Sequence, residues 1–219
     1  MKNIIGADAA KLAGLQIDTL QKIRNGQITL EHLEWFSKLN KAERDKFVGI
    51  VNYAYDSRFP LLTTFQFTVP NDYSHVTQLE SFLKENRKKV CYDDNITDAN
   101  FVRVTNKLTP GKTYEVKIFG ITQRVPSEDC LAFLKTQKAV LVGAQGISVV
   151  WQQAKEQFPK GKWIVSFDKK DSLWRDADDS HRVPYMDLHL DGDWFFNLGV
   201  FEADWDDDYC VLCLRDLSA

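Results

Sequence analysis

The chain has no uninterrupted apolar run approaching the length that spans a bilayer, and its opening residues, Met1 to Ala10, lack the apolar core of a secretion signal. A soluble, cytoplasmic protein with no membrane partner is expected. Cysteine is scarce: Cys91, Cys130, Cys210 and Cys213 are too few and too irregularly spaced to staple a chain of 219 residues, so they are expected as free thiols. With a net charge of −3 no overall basic face is expected, which argues against direct contact with nucleic acid. The nucleophile elbow Gly-x-Ser-x-Gly is absent. Gly143-Ala-Gln-Gly146 has two glycines but neither the third nor the lysine of a phosphate-cradling loop. His32, His75, His181 and His189 stand at no recognisable spacing from a Ser or Cys nucleophile. No catalytic residue, cofactor or metal ligand is therefore expected.

A hydrophobic share of 44% and six Trp place the chain among ordinary globular proteins with a real core. Its charge is uneven, with basic runs at 84–89 and 107–117 and an acidic end. Between Val183 and Cys210 there is no Lys or Arg, yet Asp187, Asp191, Asp193, Glu202, Asp204, Asp206, Asp207 and Asp208 lie among Trp194, Phe195, Phe196, Phe201, Trp205 and Tyr209. Aromatic anchors ringed by polar groups are what binding surfaces favour. The run Asp204-Trp-Asp-Asp-Asp208 also has the oxygens a calcium ion takes, but not the Gly and closing Glu of an EF-hand loop. Cys210-Val-Leu-Cys213 spells a metal or redox pair. On a strand, however, residues three apart point to opposite faces.

The first fifty-odd residues carry helical spacing: Ile17, Leu20 and Ile23, then Leu30, Leu33 and Phe36 after a Thr29 cap, then Phe47, Ile50 and Val51 after the box Asn40 to Glu43. A helical module of three short helices is expected over 1–57, ending at the break Asp56-Ser-Arg-Phe-Pro60. The rest, 58–219, reads as an α+β domain. Strands are expected at 63–69 and 113–119, and helices at 76–90 after a Ser74 cap, from Ser127 to 134, and at 147–158. Four strands follow at 163–167, 185–190, 194–201 and 209–214, with Asp191-Gly-Asp193 as a hairpin turn.

The sequence Arg182-Val-Pro-Tyr185 ahead of that hairpin, Trp194, Val200-Phe-Glu-Ala-Asp-Trp205 and the closing strand from Tyr209 to Arg215 together resemble the C-terminal part of a C-type-lectin-type fold. The branch is that of formylglycine-generating-enzyme-like domains, which includes the variable proteins of diversity-generating retroelements. With Asn95-Ile-Thr-Asp-Ala-Asn-Phe101 and the Ser-Glu-Asp helix, residues 63 to 215 also resemble a set of bacterial proteins of this layout. The resemblance implies a scaffold of Leu198, Val200, Trp205, Val211, Leu212 and Leu214, and a displayed ligand-binding set of Asn197, Gly199, Glu202, Asp204, Asp206, Asp207, Asp208 and Tyr209. The calcium elements Glu-Pro-Asn and Gln-Pro-Asp of sugar-binding lectins do not occur.

The expectation is thus a non-enzymatic binding protein whose partner is a protein or other macromolecule with a basic surface. Substituting Trp205 or Tyr209 is expected to abolish binding without unfolding. Two alternatives stand beside it: a metal-dependent oxidase of the formylglycine-generating type using Cys210 and Cys213, and an acidic decoy in which Asp204 to Asp208 stand in for phosphates.

Overall fold

The computed structural model describes residues 56–189 and 192–217, together with Arg24, Thr29, Glu34 and Lys38. All but a few positions of the helical module expected over 1–57 lie outside the described residues. The chain divides into two compact units, 1–52 and 53–219. The second is an α+β domain of three helices and a large mixed sheet.

Among the described residues ten strands run in chain order: β1 Leu61–Thr68, β2 Val90–Tyr92, β3 Thr113–Gly120, β4 Val125–Pro126, β5 Trp163–Val165, β6 Trp174–Arg175, β7 His181–Leu188, β8 Trp194–Val200, β9 Asp204–Trp205 and β10 Tyr209–Asp216. The helices are α1 Gln78–Asn86, α2 Ser127–Thr136 and α3 Gly143–Ala154. The main sheet has the order β1-β3-β10-β5-β7-β8-β2, with β6 added alongside β7, while β4 and β9 form a separate ribbon. Neighbours are antiparallel except β10 with β5 and β2 with β8. The last strand lies in the middle because it is apolar on both sides: Cys210, Leu212 and Leu214 face one core, Val211 and Cys213 the other.

The first face of the sheet is covered by α1 and α3, with Leu79, Phe82, Ile147, Val150 and Trp151 packed over Ile118, Ile164, Met186 and Phe196. Part of the second is covered by α2, which lays Cys130, Phe133 and Leu134 on Phe119, Val165, Val183 and Val211. Residues from Gly143 to Trp151 of α3 are all buried, so it is a core helix. Its start lies four residues ahead of the expected one: Gly143, with φ +51°, opens the helix and Gly146 lies within it. At Gly146 a Cβ would come within 1.9 Å of Val142 Cγ2, so only glycine fits there.

Two caps also differ from expectation. Ser74 does not cap α1, which begins at Gln78; Asp98, from a later loop, accepts hydrogen bonds from Leu79 N at 3.1 Å and Glu80 N at 2.9 Å. Ser127 makes no cap hydrogen bond for α2, because its hydroxyl accepts from the Trp205 indole at 2.7 Å. The hairpin does form. β7 and β8 pair antiparallel, His189 N donates to Asp193 O at 2.9 Å, and Gly192 has φ +93°.

Beyond β5, Asp168 is buried at 3% exposure, with Oδ1 accepting from Thr105 N at 2.7 Å and Oδ2 lying against Gly143. Burial pushes its carboxyl up to about 6, against the opposing hydrogen bonds from Thr105. The folded value stands above the unfolded value of about 3.9, so this group favours the fold fully below about pH 4, and the benefit is lost as pH rises through 6. The loss is on the order of 2 to 3 kcal/mol. Urea unfolding followed from pH 4 to pH 7 should show a decline in stability that flattens in Asp168→Asn. A decline of equal slope in the two proteins would contradict the assignment.

No helix among the described residues is long and apolar enough to cross a membrane.

Candidate functional site

Among the described residues, the second face of the sheet is only half covered. Around β3, β10 and the far end of β7, α2 and the β4–β9 ribbon close it. Toward Trp163 and β2, no helix of the described residues packs on it. Pair register shows what this bare half carries. Tyr209 lies level with Trp163, Tyr185 with Asn197, and Asp187 with Phe195 and through it with Cys91. Their neighbours Met186, Phe196 and Val90 point into the first core, so strand alternation places this set on the second face.

The aromatic rings are interlocked. Trp163 stacks on Tyr185 with centroids 5.7 Å apart, and Tyr209 meets Trp163 edge-on at 4.9 Å, Tyr185 at 5.9 Å and Trp205 at 4.9 Å. Beside them His189 stacks on Phe195 at 4.0 Å. Trp163, Tyr185, Phe195, Asn197 and Tyr209 remain half-buried, and Cys91 is exposed.

Asp187 sits within this group at 2% exposure. Its Oδ2 lies 2.9 Å from His189 Nε2, while its Oδ1 is buried and has no hydrogen-bonding partner among the described residues. Burial raises its carboxyl pKa, and His189 opposes the rise. The Tyr209 phenol is pushed up to about 12 by burial first and then by Tyr185, Asp206, Asp208 and Asp187. The Tyr185 phenol is raised by burial and by Asp187 and Asp93, against a hydrogen bond from Asn197. Acidic groups therefore act on the face from both sides. Such a surface suits holding a cation.

Of the displayed set expected from the sequence, the fold brings Asn197 and Tyr209 onto this face and Asp206 and Asp208 to its rim. The acids form a turn leading into β10: Asp208 N donates to Asp206 Oδ1 at 3.3 Å, Trp163 N donates to the Asp208 carbonyl at 3.0 Å, and Lys162 donates to the Asp207 carbonyl. Asp207 is exposed in the same turn, and Asp204 is exposed on β9 opposite Pro126.

Gly199 is a correction to that set. The Trp205 indole lies over it, and a Cβ at Gly199 would meet Trp205 Cη2 at 2.5 Å, so the position cannot present a side chain. Trp205 belongs to the scaffold at 3% exposure, as do buried Val211, Leu212 and Leu214. The expectation that substituting Trp205 would remove binding alone does not survive this burial.

Glu202 is the other exception. It lies by His181, six residues along β7 from Asp187 and so about 20 Å away at the usual strand rise. His181 Nδ1 lies 2.6 Å from Glu202 Oε1, and Lys170 Nζ lies 3.1 Å from the same oxygen. Burial works against the charge, yet hydrogen bonds from His181 and Lys170 carry the carboxyl down to about 2. Arg175 Nε donates to His181 Nε2 at 3.0 Å, which leaves Nδ1 as the donor to Glu202. Glu202 thus ties down its own loop. Next to it, Arg103, Trp174, Arg175 and His181 line a separate cleft of about 550 Å³. A larger cleft of about 690 Å³ beside α1 mixes Glu80, Asp94 and Asp98 with Lys84 and Arg87.

Cys210 and Cys213 lie buried in opposite cores, and burial lifts both thiols to about 12. They cannot share an ion, which removes the ligand pair of the oxidase alternative. Among the described residues no three His, Cys, Asp or Glu side chains gather to hold a metal, the Asp204 to Asp208 run included.

Sequence reasoning passed over Trp163, Asp187, His189 and Asp93 as site residues. One signal was present: Tyr185 and Asp187 on β7, and His189 just beyond its end, alternate as one face. Trp163 and Asp93 come from other parts of the chain, and nothing local marks them. Compared with family models, with curated proteins and with solved structures, the chain finds no match in any of the three.

Proposed function

We propose that this is a non-enzymatic binding protein, and that the bare half of its second sheet face takes a protein or other macromolecule with a basic surface. The observation that carries the reading is a half-buried aromatic patch, Trp163, Tyr185, Phe195 and Tyr209, which no helix of the described residues covers and which is built around the buried Asp187. Half-buried aromatics with few rotatable bonds supply contact area at low entropic cost, and Asp206 and Asp208 at the rim steer a basic partner. A C-type-lectin-like scaffold and a retroelement variable protein belong to the same proposal, but it does not depend on them.

The charge reversals Asp206→Lys and Asp208→Lys, made together, test it. Wild type used as bait in cell extract is expected to retain a partner that the variant loses, and rising salt should weaken the capture. Asp208 is exposed and Asp206 half-buried in this turn, where Asp206 accepts from Asp208 N. Thermal unfolding of the double variant should therefore fall only slightly below that of wild type, and Asp208→Lys alone should match it. Equal retention of the same proteins by wild type and variant would sink the reading.

A further inference from the structure

We propose that the bare face seats a guanidinium group, the arginine side chain of a partner protein, between Asp187 and Asp93 over Tyr185 and Asn197. The inference rests on the reading of this face as a binding surface and adds the chemistry of what it binds.

Asp187 is the starting point. A carboxylate 2% exposed, with one oxygen held by His189 and the other buried without a partner among the described residues, is a costly arrangement. Native proteins satisfy nearly all such groups, and an exception points to something that completes it. An added hydrogen-bond donor with a positive charge would do so.

The surroundings favour that donor. Asp93 follows β2 directly, and its N donates to Phe196 O at 3.0 Å, which sets it beside Asn197 in the row that contains Tyr185. Asp187 and Asp93 both act on the Tyr185 phenol, and Asp187, Asp206 and Asp208 all act on that of Tyr209. Lys162, which donates to the Asp207 carbonyl, keeps its charge and offsets part of this field at the rim of Asp206 to Asp208; among the described residues it forms no ion pair with Asp187 or Asp93. Asn197 pairs with Tyr185 across β7 and β8, so the two side chains lie next to each other on the floor of the seat.

Geometry then separates guanidinium from ammonium. The acceptors are spread over several strands, and the ground between them is aromatic. A planar guanidinium carries five N–H donors in a rigid fork, stacks on aromatic faces and is weakly hydrated; an ammonium is compact, strongly hydrated and costlier to bury. His189 is the gate. Its side chain is 47% exposed, it bonds Asp187 Oδ2 and it stacks on Phe195. An entering guanidinium displaces it and takes both carboxylate oxygens in a charge-assisted fork.

The test uses the full chain titrated with Nα-acetyl-arginine methylamide, with the lysine and citrulline analogues as controls at matched ionic strength. Binding is followed by the backbone amide signal of Asn197 and the indole signal of Trp163. Saturable millimolar binding of the arginine compound is expected, with the lysine analogue about tenfold weaker and no binding of neutral citrulline. Asp187→Asn, nearly isosteric, should weaken the arginine compound by about tenfold or more, and Asp93→Asn by a smaller factor. Should Asp187→Asn fail to fold, the Asp93→Asn result and the map of shifted signals in wild type decide alone. Citrulline binding as well as arginine, affinity unchanged in the variants that fold, or shifts centred away from Tyr185 and Asn197 would each overturn the proposal. Partner capture that is lost on reversing Asp206 and Asp208, with the arginine compound inert, would keep the binding surface and refute the guanidinium seat. Saturable arginine binding with capture unaffected by those reversals would support the seat and refute the macromolecular reading of the rim.

Discussion

Truncating Trp205 to alanine is expected to lower the stability of the domain by about 4 kcal/mol, the range seen when a large buried aromatic is removed from a core. The indole is 3% exposed, meets Phe167 edge-on at 5.6 Å and Tyr209 at 4.9 Å, and covers the backbone of Gly199. It also makes a tertiary hydrogen bond. Nε1 donates to Ser127 Oγ at 2.7 Å, and Ser127 is itself fully buried, so truncation leaves a polar hydroxyl in the core with a partner removed. Trp205→Phe should recover part of the loss, because it restores most of the ring volume and none of the hydrogen bond. Urea unfolding measures both variants. A loss under about 1 kcal/mol for Trp205→Ala would place the ring outside the core and restore it to the binding surface.

The second expected result concerns the glycine beneath that ring. Gly199→Ala should cost about 2 to 3 kcal/mol, as overpacking does where the neighbour cannot give way. The new Cβ would stand 2.5 Å from Cη2 and 3.0 Å from Cζ3 of an indole held by Ser127 at one side and Phe167 at the other. Moving the ring to relieve the contact breaks that hydrogen bond. The pair therefore makes a decisive cycle: in a Trp205→Ala background Gly199→Ala should cost almost nothing, and the double variant should be more stable than the two single losses predict. Strict additivity would show that the indole does not press on Gly199. Asn197, two residues earlier on the same strand and face, is half-buried beside Tyr185 and should accept alanine within about 1 kcal/mol. From the sequence the two positions read alike, as displayed residues flanking Leu198. Only the ring that folds back from β9 separates them.

Much of the architecture was legible because it depends on short-range periodicity. The alternation in Thr113 to Phe119, the Asp-Gly turn before Asp193 and the acidic first turn of α2 each specify structure within a few residues. The same reasoning placed Cys210 and Cys213 on opposite faces, and the cores they enter are indeed different. Where expectation failed, the deciding partner was distant. Asp98 supplies the cap of α1 that Ser74 was expected to give, and Val142 and Asp168 explain glycines that resembled a loop. Ser127 looked like a cap because caps are local, but Trp205, seventy-eight residues on, takes its hydroxyl.

Composition and strand period together determined an α+β domain with free thiols and an acidic, aromatic end, since they fix which residue types lie inside and which alternate outward. Which half of a face the described residues leave bare was decided by the tertiary structure alone. That outcome depends on where α2 and the β4–β9 ribbon come to rest. Their contacts join residues far apart in the chain, and they bury Trp205 while leaving Tyr185, Asn197 and Tyr209 half open around an Asp187 oxygen that has no partner among the described residues.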